Sequence, residues 1–589
     1  MNIPKRSLLA TLFIAVALTA PVMAQDAASA MKDLKSERYV KAEQTLTQLA
    51  TATPSADNQF NLGYYYLRTN QPDKAKAAFE KGTAADANNQ FSNLGMAGVA
   101  LAKKDLATAK SLIDNAVKAT KSKNQDVLLR AGEMYTLFGA TGQSDPAEAL
   151  RLLDLADKLD KKNTSAEIEM AMGDAYFVKN DGGNAVGKYE NALLINPNLA
   201  EANYKIGRVY LRGKNYKLAQ EFYEKAIVND PEFAPTYRAY ADALANSRAY
   251  KKASKTYNTY VEKTGTTDEE LLLDVAKYYF LAGDYLQATA YLDRLKGKVK
   301  NPIIDRMYGW SYAGLNKNDQ AVEALNKFIS SAPEKVIYDD YKYLGRAYGQ
   351  LGTPEGDSLG IINLTKAAPS DTLENLYREI GAKYFAGKRW DKAAEFYKQV
   401  VATDKKPLAS DFTNLGLAYY QAAPRLVREL TDTTRTKQVR REAYLRADSV
   451  FAKLAERNPE YATAYYYRGN SNYYANPTES VASGTSVPYY EKFIELANKD
   501  IAADSTKFKA TYTKNLITSY KYLATYSFAK KDDVKGKEYL TKVMELDPND
   551  KQAKDFMEGP KQPATPTPPT KPAAGAKPTP KAPPKKAAK

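Results

Sequence analysis

A glycine stands in the middle of an otherwise helix-forming run at Gly207, in YKIGRVYLRGKNYKLAQEFYEKAIVNDPEF (204–233). Such a glycine costs roughly 0.5–1 kcal/mol relative to alanine. Yet a small residue returns in the same setting about every 34 residues along most of the chain. Taking Gly207 as position 8 of a 34-residue unit puts Tyr210 at position 11, Ala219 at 20, Tyr223 at 24, Ala226 at 27 and Pro231 at 32. Positions 4, 7, 8 and 11 share one face of a first helix, and 20, 24 and 27 share one face of a second. Small residues at 8, 20 and 27 let the two axes approach, and the large residues beside them fill the space that remains. Close packing then offsets the cost of the glycine. Proline, which lacks an N–H and clashes with a preceding turn, marks the junction to the next unit.

Position 8 is glycine at Gly63, Gly132, Gly173, Gly207, Gly309, Gly345, Gly381, Gly416 and Gly469, and alanine at Ala97, Ala241, Ala276 and Ala524. Position 11 is tyrosine in most units, from Tyr66 to Tyr419, and position 20 is alanine from Ala42 to Ala447. This pattern, which covers roughly Lys32 to Met557, resembles the tetratricopeptide repeat family. The resemblance implies an all-α fold, a right-handed superhelical solenoid of about thirteen helix pairs, here preceded by a lone helix around Ser36 to Ala50. The family's tryptophan at position 4 is absent. Tyr341, Tyr377, Phe412, Tyr465 and Tyr520 take that place in the C-terminal half, which accounts for part of the 45 tyrosines. Most of these are expected in the core.

Two places break the spacing. Between Gly416 and Ala447 there are 31 residues instead of 12, and the extra segment APRLVRELTDTTRTKQVRREAYLR (423–446) reads as a longer turn plus a helix extended at its N-terminus. Between Gly469 and Ala524 there are 55 instead of 34, including a low-complexity loop ANPTESVASGTSVP that ends at Pro488. The array is then either two solenoids meeting near Gln421 to Arg446 or one solenoid with elaborated loops. The organisation expected is a signal peptide over 1–24, a short lead over 25–35, a repeat solenoid over 36–422, a basic helical insertion over 423–446, C-terminal repeats over 447–558 and a tail over 559–589.

The two ends differ from everything between them. Lys5 and Arg6 precede an apolar run from Leu8 to Ala20, and Val22-Met23-Ala24 offers small residues for a signal peptidase. The run is short for a bilayer span, so cleavage after Ala24 is favoured over an uncleaved anchor. No cysteine follows it, which excludes a lipoprotein anchor. The mature chain is expected to be exported to a bacterial periplasm, with association with the outer membrane or secretion left open, and without a transmembrane segment after cleavage. Residues 559–589 hold ten prolines, seven lysines and no acid. They read as an extended, disordered, cationic tail. Seven of the formal +16 charges lie there and two in the leader, which leaves +7 for the rest.

Histidine and cysteine are both absent. That removes disulfides, thiolate and imidazole metal sites, cysteine nucleophiles and Ser-His-Asp triads. No dinucleotide or phosphate-binding glycine loop and no G-x-S-x-G occurs. Ser527-Phe-Ala-Lys530 matches S-x-x-K, but it lacks the companion motifs of penicillin-binding proteins. We expect no enzyme, no cofactor and no metal.

Function then rests on exposed side chains. The resemblance implies that positions 2, 5, 9, 12 and 13 of the first helices line a concave groove. In the middle of the chain position 5 is Arg238, Arg306, Lys342 and Arg378, interrupted by Leu273, and position 9 adds Arg208, Lys277 and Arg346. Aromatics on the same faces are Tyr204, Phe280, Trp310 and Phe385. Cations on neighbouring helices lie within about a Debye length or two, and their fields add in a groove. This set is the candidate protein-binding groove, suited to an extended peptide carrying acidic residues or a free carboxylate. The alternative is that the cations are solvated or paired with nearby Asp and Glu. The family's chaperone-binding subgroup carries lysine at position 5 and asparagine at 9. Here Asn470 is accompanied by Tyr466, so that activity does not carry over. The insertion 423–446 is a second place for an acidic partner, or a solvated face. The tail offers contact with an anionic envelope polymer. Nucleic acid is not expected for an exported chain. The reading is an interaction scaffold of the envelope, with a cell-wall or glycan-associated module and a self-assembling structural protein as alternatives.

Overall fold

A computed structural model describes residues 26–138, 144–428 and 433–558. The expected signal peptide and tail lie outside the described residues. Every regular element among the described residues is a helix. The chain divides into two units, Met1–Gly352 and Thr353–Lys589. The division falls at Gly352, which turns the chain at φ +71, and lies well before the 421–446 segment.

Each unit is an α-solenoid of antiparallel helix pairs. The first unit stacks nine pairs from Ala27–Lys35 with Tyr39–Ala52 to Ile303–Gly314 with Asn318–Ser331, and ends on Tyr338–Gly349. The second opens on Pro354–Ala367, stacks four pairs from Leu376–Ala386 with Trp390–Thr403 to Ser505–Ala529 with Asp533–Leu546, and ends on Lys551–Glu558.

In eight of the pairs a position-8 glycine meets the position-24 side chain. A Cβ on Gly207 would lie 2.5 Å from a ring carbon of Tyr223, and one on Gly63 would lie 2.4 Å from Phe79. Tyr223 and Phe79 are fully buried, so the missing methyl is the space the ring occupies. The turn between the two helices is equally regular. Its position 15 is left-handed in pair after pair, at Asn70, Lys104, Asn180, Lys214, Arg248, Gly283, Asn316, Lys388 and Lys531. A side chain or backbone oxygen then starts the second helix. Asn215, for example, accepts from the Leu218 N–H at 3.2 Å.

The structure corrects three expectations. The helix expected to stand alone near Ser36 is the second of a pair. Ala27–Lys35 precedes it, with Ala30 at position 8 packed toward Ala42 at position 20, both buried. The pair escaped the pattern because position 11 holds Asp33 instead of tyrosine. The stretch read as a low-complexity loop contains a helix, Pro477–Ser483, closed by Gly484 at φ +78. It is fastened by Ser480 and Tyr522, whose hydroxyls lie 2.9 Å apart. At the other break both helices are long, Ala409–Arg428 and Thr433–Arg457. The second is extended at its N-terminus as expected, and the first is extended too.

Candidate functional site

In the first unit, three successive first helices, Glu269–Leu281, Ile303–Gly314 and Tyr338–Gly349, bring Phe280, Trp310 and Tyr343 together. Phe280 lies 5.6 Å from Trp310, Trp310 5.5 Å from Tyr343, and Phe280 6.1 Å from Tyr343, centroid to centroid. All three rings are half-buried. They form a continuous ledge across three repeats. Sequence reading found the first two and missed Tyr343 at position 6, which the family numbering does not assign to the groove.

The cations of the candidate groove do not stand uncompensated. Lys277 pairs with Asp274 at 2.8 Å, and both are partly exposed. Lys342 is buried, pairs with Asp339 at 2.8 Å and lies over the Tyr338 and Tyr343 rings. Arg346 is half-buried on the same helix. Arg306 is clamped more firmly. Its Nε and Nη2 donate to the two carboxylate oxygens of Asp340 at 3.0 and 2.9 Å, and it also donates to the Lys335 carbonyl. The same guanidinium lies over Phe328 and Trp310. Asp340 is fully buried and accepts from the Ile337 N–H at 2.8 Å.

The second unit repeats that clamp. Arg378 donates to Asp411 at 2.7 and 2.8 Å and to Asp404 at 2.7 Å, while Asp411 accepts from the Leu408 N–H at 2.8 Å. These carboxylates hold the Arg378 guanidinium protonated. In both cases a position-5 arginine grips the position-3 aspartate of the next repeat, which also ties down the start of its helix. Asp340 and Asp411 were missed by sequence reading. Their signal is the recurrence of aspartate 34 and 33 residues after an arginine. Phe385, also in the second unit, packs against Trp390 at 4.9 Å and Tyr397 at 6.5 Å.

Nearer the N-terminus, Tyr204 packs edge-on against Phe233 at 5.4 Å. Arg208 is exposed and lies over Phe177 and Tyr204, at 4.9 and 5.7 Å from the ring centroids. Arg238 is exposed beside Tyr257, Tyr260 and Glu37. Beside Tyr204 runs a charge network that the pattern did not disclose. Lys205 pairs with Asp174 at 2.6 Å and Glu201 at 3.3 Å, and Tyr189 donates to Asp174 at 2.8 Å. Burial pushes the Glu201 carboxyl up, but the ammonium groups of Lys205 and Lys35 outweigh it and hold it at about 2.

Asn470 is buried and accepts from the Tyr490 hydroxyl at 2.7 Å, so it serves the core. No group of three or more acidic residues placed to hold a metal occurs among the described residues, and no helix there is long and apolar enough to cross a membrane.

Models of the tetratricopeptide repeat match residues 56–89, 200–233 and 307–335. No curated protein matches the sequence. Among solved structures, the C-terminal part of a TPR repeat-containing protein from Cytophaga hutchinsonii is 26% identical, covering 48% of this chain and 99% of that chain with a TM-score of 0.34. A tetratricopeptide repeat protein from Parabacteroides merdae is 18% identical, covering 44% and 98% with a TM-score of 0.28. PilW, described as a widely conserved type IV pilus biogenesis factor, is 19% identical, covering 35% and 92% with a TM-score of 0.29. The segments that the family models match hold the position-8 glycines Gly63, Gly207 and Gly309, each seated on the position-24 side chain of its own pair, and over those segments the chain is built of tetratricopeptide repeats.

Proposed function

We propose that this chain is a non-catalytic interaction scaffold of the bacterial envelope, which holds an extended, acidic segment of another protein along the concave face of its first helices. The observation that carries this reading is the Phe280–Trp310–Tyr343 ledge with Lys277 and Arg346 beside it. Half-buried rings held by three helices offer apolar area with little ordering cost on binding. The envelope setting rests on the N-terminal sequence, and the choice of a protein partner rests on the repeat family and on this ledge.

The ion pairs divide the cations into two classes. Lys277 and Asp274 are both partly exposed, at 44% and 41%, and a pair open to solvent is worth about 0–1 kcal/mol. A ligand carboxylate therefore replaces Asp274 at little cost. Asp340 and Asp411 are fully buried, and removing their arginines would leave buried charges alone. Arg306 and Arg378 thus serve the fold, while Lys277 is an exchangeable contact.

The test is site-specific photo-crosslinking in the native envelope, with the photoreactive residue at Phe280 or, as control, at exposed Lys217 on a second helix. One defined protein captured from Phe280 and absent from Lys217 supports the reading. Equal capture from both positions, or none from Phe280, removes it.

A further inference from the structure

The first helix pair touches repeats far along the chain. Lys35 pairs with Glu201 at 3.1 Å across 166 residues of sequence. Lys32 pairs with Asp230 at 3.1 Å. Arg38 donates to the Glu232 carbonyl at 3.0 Å across 194 residues, while its own helix partner Asp33 holds its other side at 2.7 Å. Tyr260 donates to the Glu37 carboxylate at 2.5 Å across 223 residues. The contacts join the first pair to the sixth and seventh pairs of the same unit. Three of the four are made by cations at residues 32, 35 and 38, spaced three apart so that they emerge on one side of the helix and its turn. Their acceptors are the carboxylates of Asp230 and Glu201 and a loop carbonyl.

This arrangement has two features of a contact built to open. Two of its four contacts are side-chain ion pairs whose lysines are more than half exposed, at 62% and 54%, so salt weakens them. The residue at its centre, Glu37, is held at φ +57. That is the left-handed turn position of most pairs, where Gly283 stands in the eighth pair. Glutamate is a costly choice there, and the Tyr260 hydrogen bond is what it contributes.

We propose that residues 27–39 form an ionic latch that closes the first unit between its first and seventh pairs, and that the acidic rim beneath it, Glu201 and Asp230, is a docking site for a basic segment of a partner protein. The resident occupant shows the chemistry the rim accepts: two ammonium groups and a guanidinium presented at intervals of three residues. The site is separate from the aromatic ledge and of opposite charge preference, so it stands whether or not the ledge binds acidic segments.

The experiment uses the full chain with three variants: Lys32→Ala with Lys35→Ala, the same pair with Asp230→Asn, and Tyr260→Phe. Hydrogen exchange is read on peptides spanning 27–38, at about 50 and about 500 mM NaCl. Binding is read with fluorescein-labelled octalysine. The expected result is several-fold faster exchange of 27–38 at high salt and in the double variant, with octalysine binding about tenfold tighter to the double variant than to the parent. Asn at position 230 should remove that gain. Tyr260→Phe removes the hydroxyl that donates to Glu37 and leaves the backbone of 27–38 unchanged. Faster exchange in this variant therefore reports loss of the Tyr260 contact itself. Unchanged exchange of 27–38 in both the double variant and Tyr260→Phe overturns the latch. Equal octalysine affinity for parent and double variant, or an Asp230→Asn variant that binds as well, overturns the docking site.

Discussion

Arg378 and Asp411 stand 33 residues apart in the chain and meet as a two-pronged ion pair at 2.7 and 2.8 Å. Arg306 and Asp340 repeat the arrangement in the other unit at a separation of 34. The aspartate is fully buried each time, and breaking a buried pair from one side costs about 3–5 kcal/mol. Arg306→Ala should therefore lower the local stability of Tyr338–Gly349 by about 3 kcal/mol, read by native-state hydrogen exchange. Arg306→Lys should recover only part of it, since an ammonium cannot hold both oxygens and the Lys335 carbonyl in one plane. Full recovery by lysine would show that charge alone matters.

Glycines in this chain are not equivalent. Gly207→Ala places a Cβ 2.5 Å from the buried Tyr223 ring, and overpacking of this kind costs about 1–3 kcal/mol. That exceeds the gain of up to about 1 kcal/mol from helix propensity. Gly187, inside the helix Gly182–Ile195, has nothing within 4 Å of the site its Cβ would take. Gly187→Ala should stabilise by about 0.5–1 kcal/mol. Denaturant midpoints of the two variants should move in opposite directions.

Glu201 makes a prediction about acid. Its carboxyl titrates at about 2, below its ordinary 4.5, because Lys205 and Lys35 outweigh burial. A depressed carboxyl contributes stability that is fully present above the ordinary value and is lost as pH falls toward about 2. The shift corresponds to about 3 kcal/mol. The difference in stability between the parent chain and Glu201→Gln should be constant from pH 7 to about 5 and shrink between about 4.5 and 2. A difference that already shrinks between pH 7 and 5 would mean that Glu201 is not held by these two lysines.

The partly exposed pair Lys277–Asp274 should behave in the opposite way to the buried clamps. Lys277→Ala should change stability by less than about 1 kcal/mol, yet weaken capture of any partner cross-linked at Phe280. Loss of stability comparable to that of Arg306→Ala would place Lys277 among the structural cations.

The helix pairs were legible because their cause is local and repeated. A small residue at position 8, a large one at 24 and in most units alanine at 20 express one packing requirement over and over, and its recurrence along the chain leaves one fold. The aromatics Phe280 and Trp310 were legible for the same reason, since position in the unit places them on the first helix. The first pair was half hidden because Asp33 broke the tyrosine signature, and the helix Pro477–Ser483 was hidden because seven polar and small residues carry no amphipathic period of their own.

Which charges meet was a different matter. Arg306, Arg378, Lys277 and Lys342 look alike as residue types, and the linear pattern treats them as one cationic stripe. Whether each faces solvent or a buried carboxylate depends on the rotation between neighbouring repeats, which sets the position-3 aspartate of one unit against the position-5 arginine of the last. The contacts of Lys35 with Glu201 and of Glu37 with Tyr260 depend on that rotation summed over five or six repeats. Repeat packing is a nearest-neighbour property that the chain encodes in every unit, while contacts across 166 to 223 residues follow from the accumulated geometry of all the units between and exist only once the solenoid has formed.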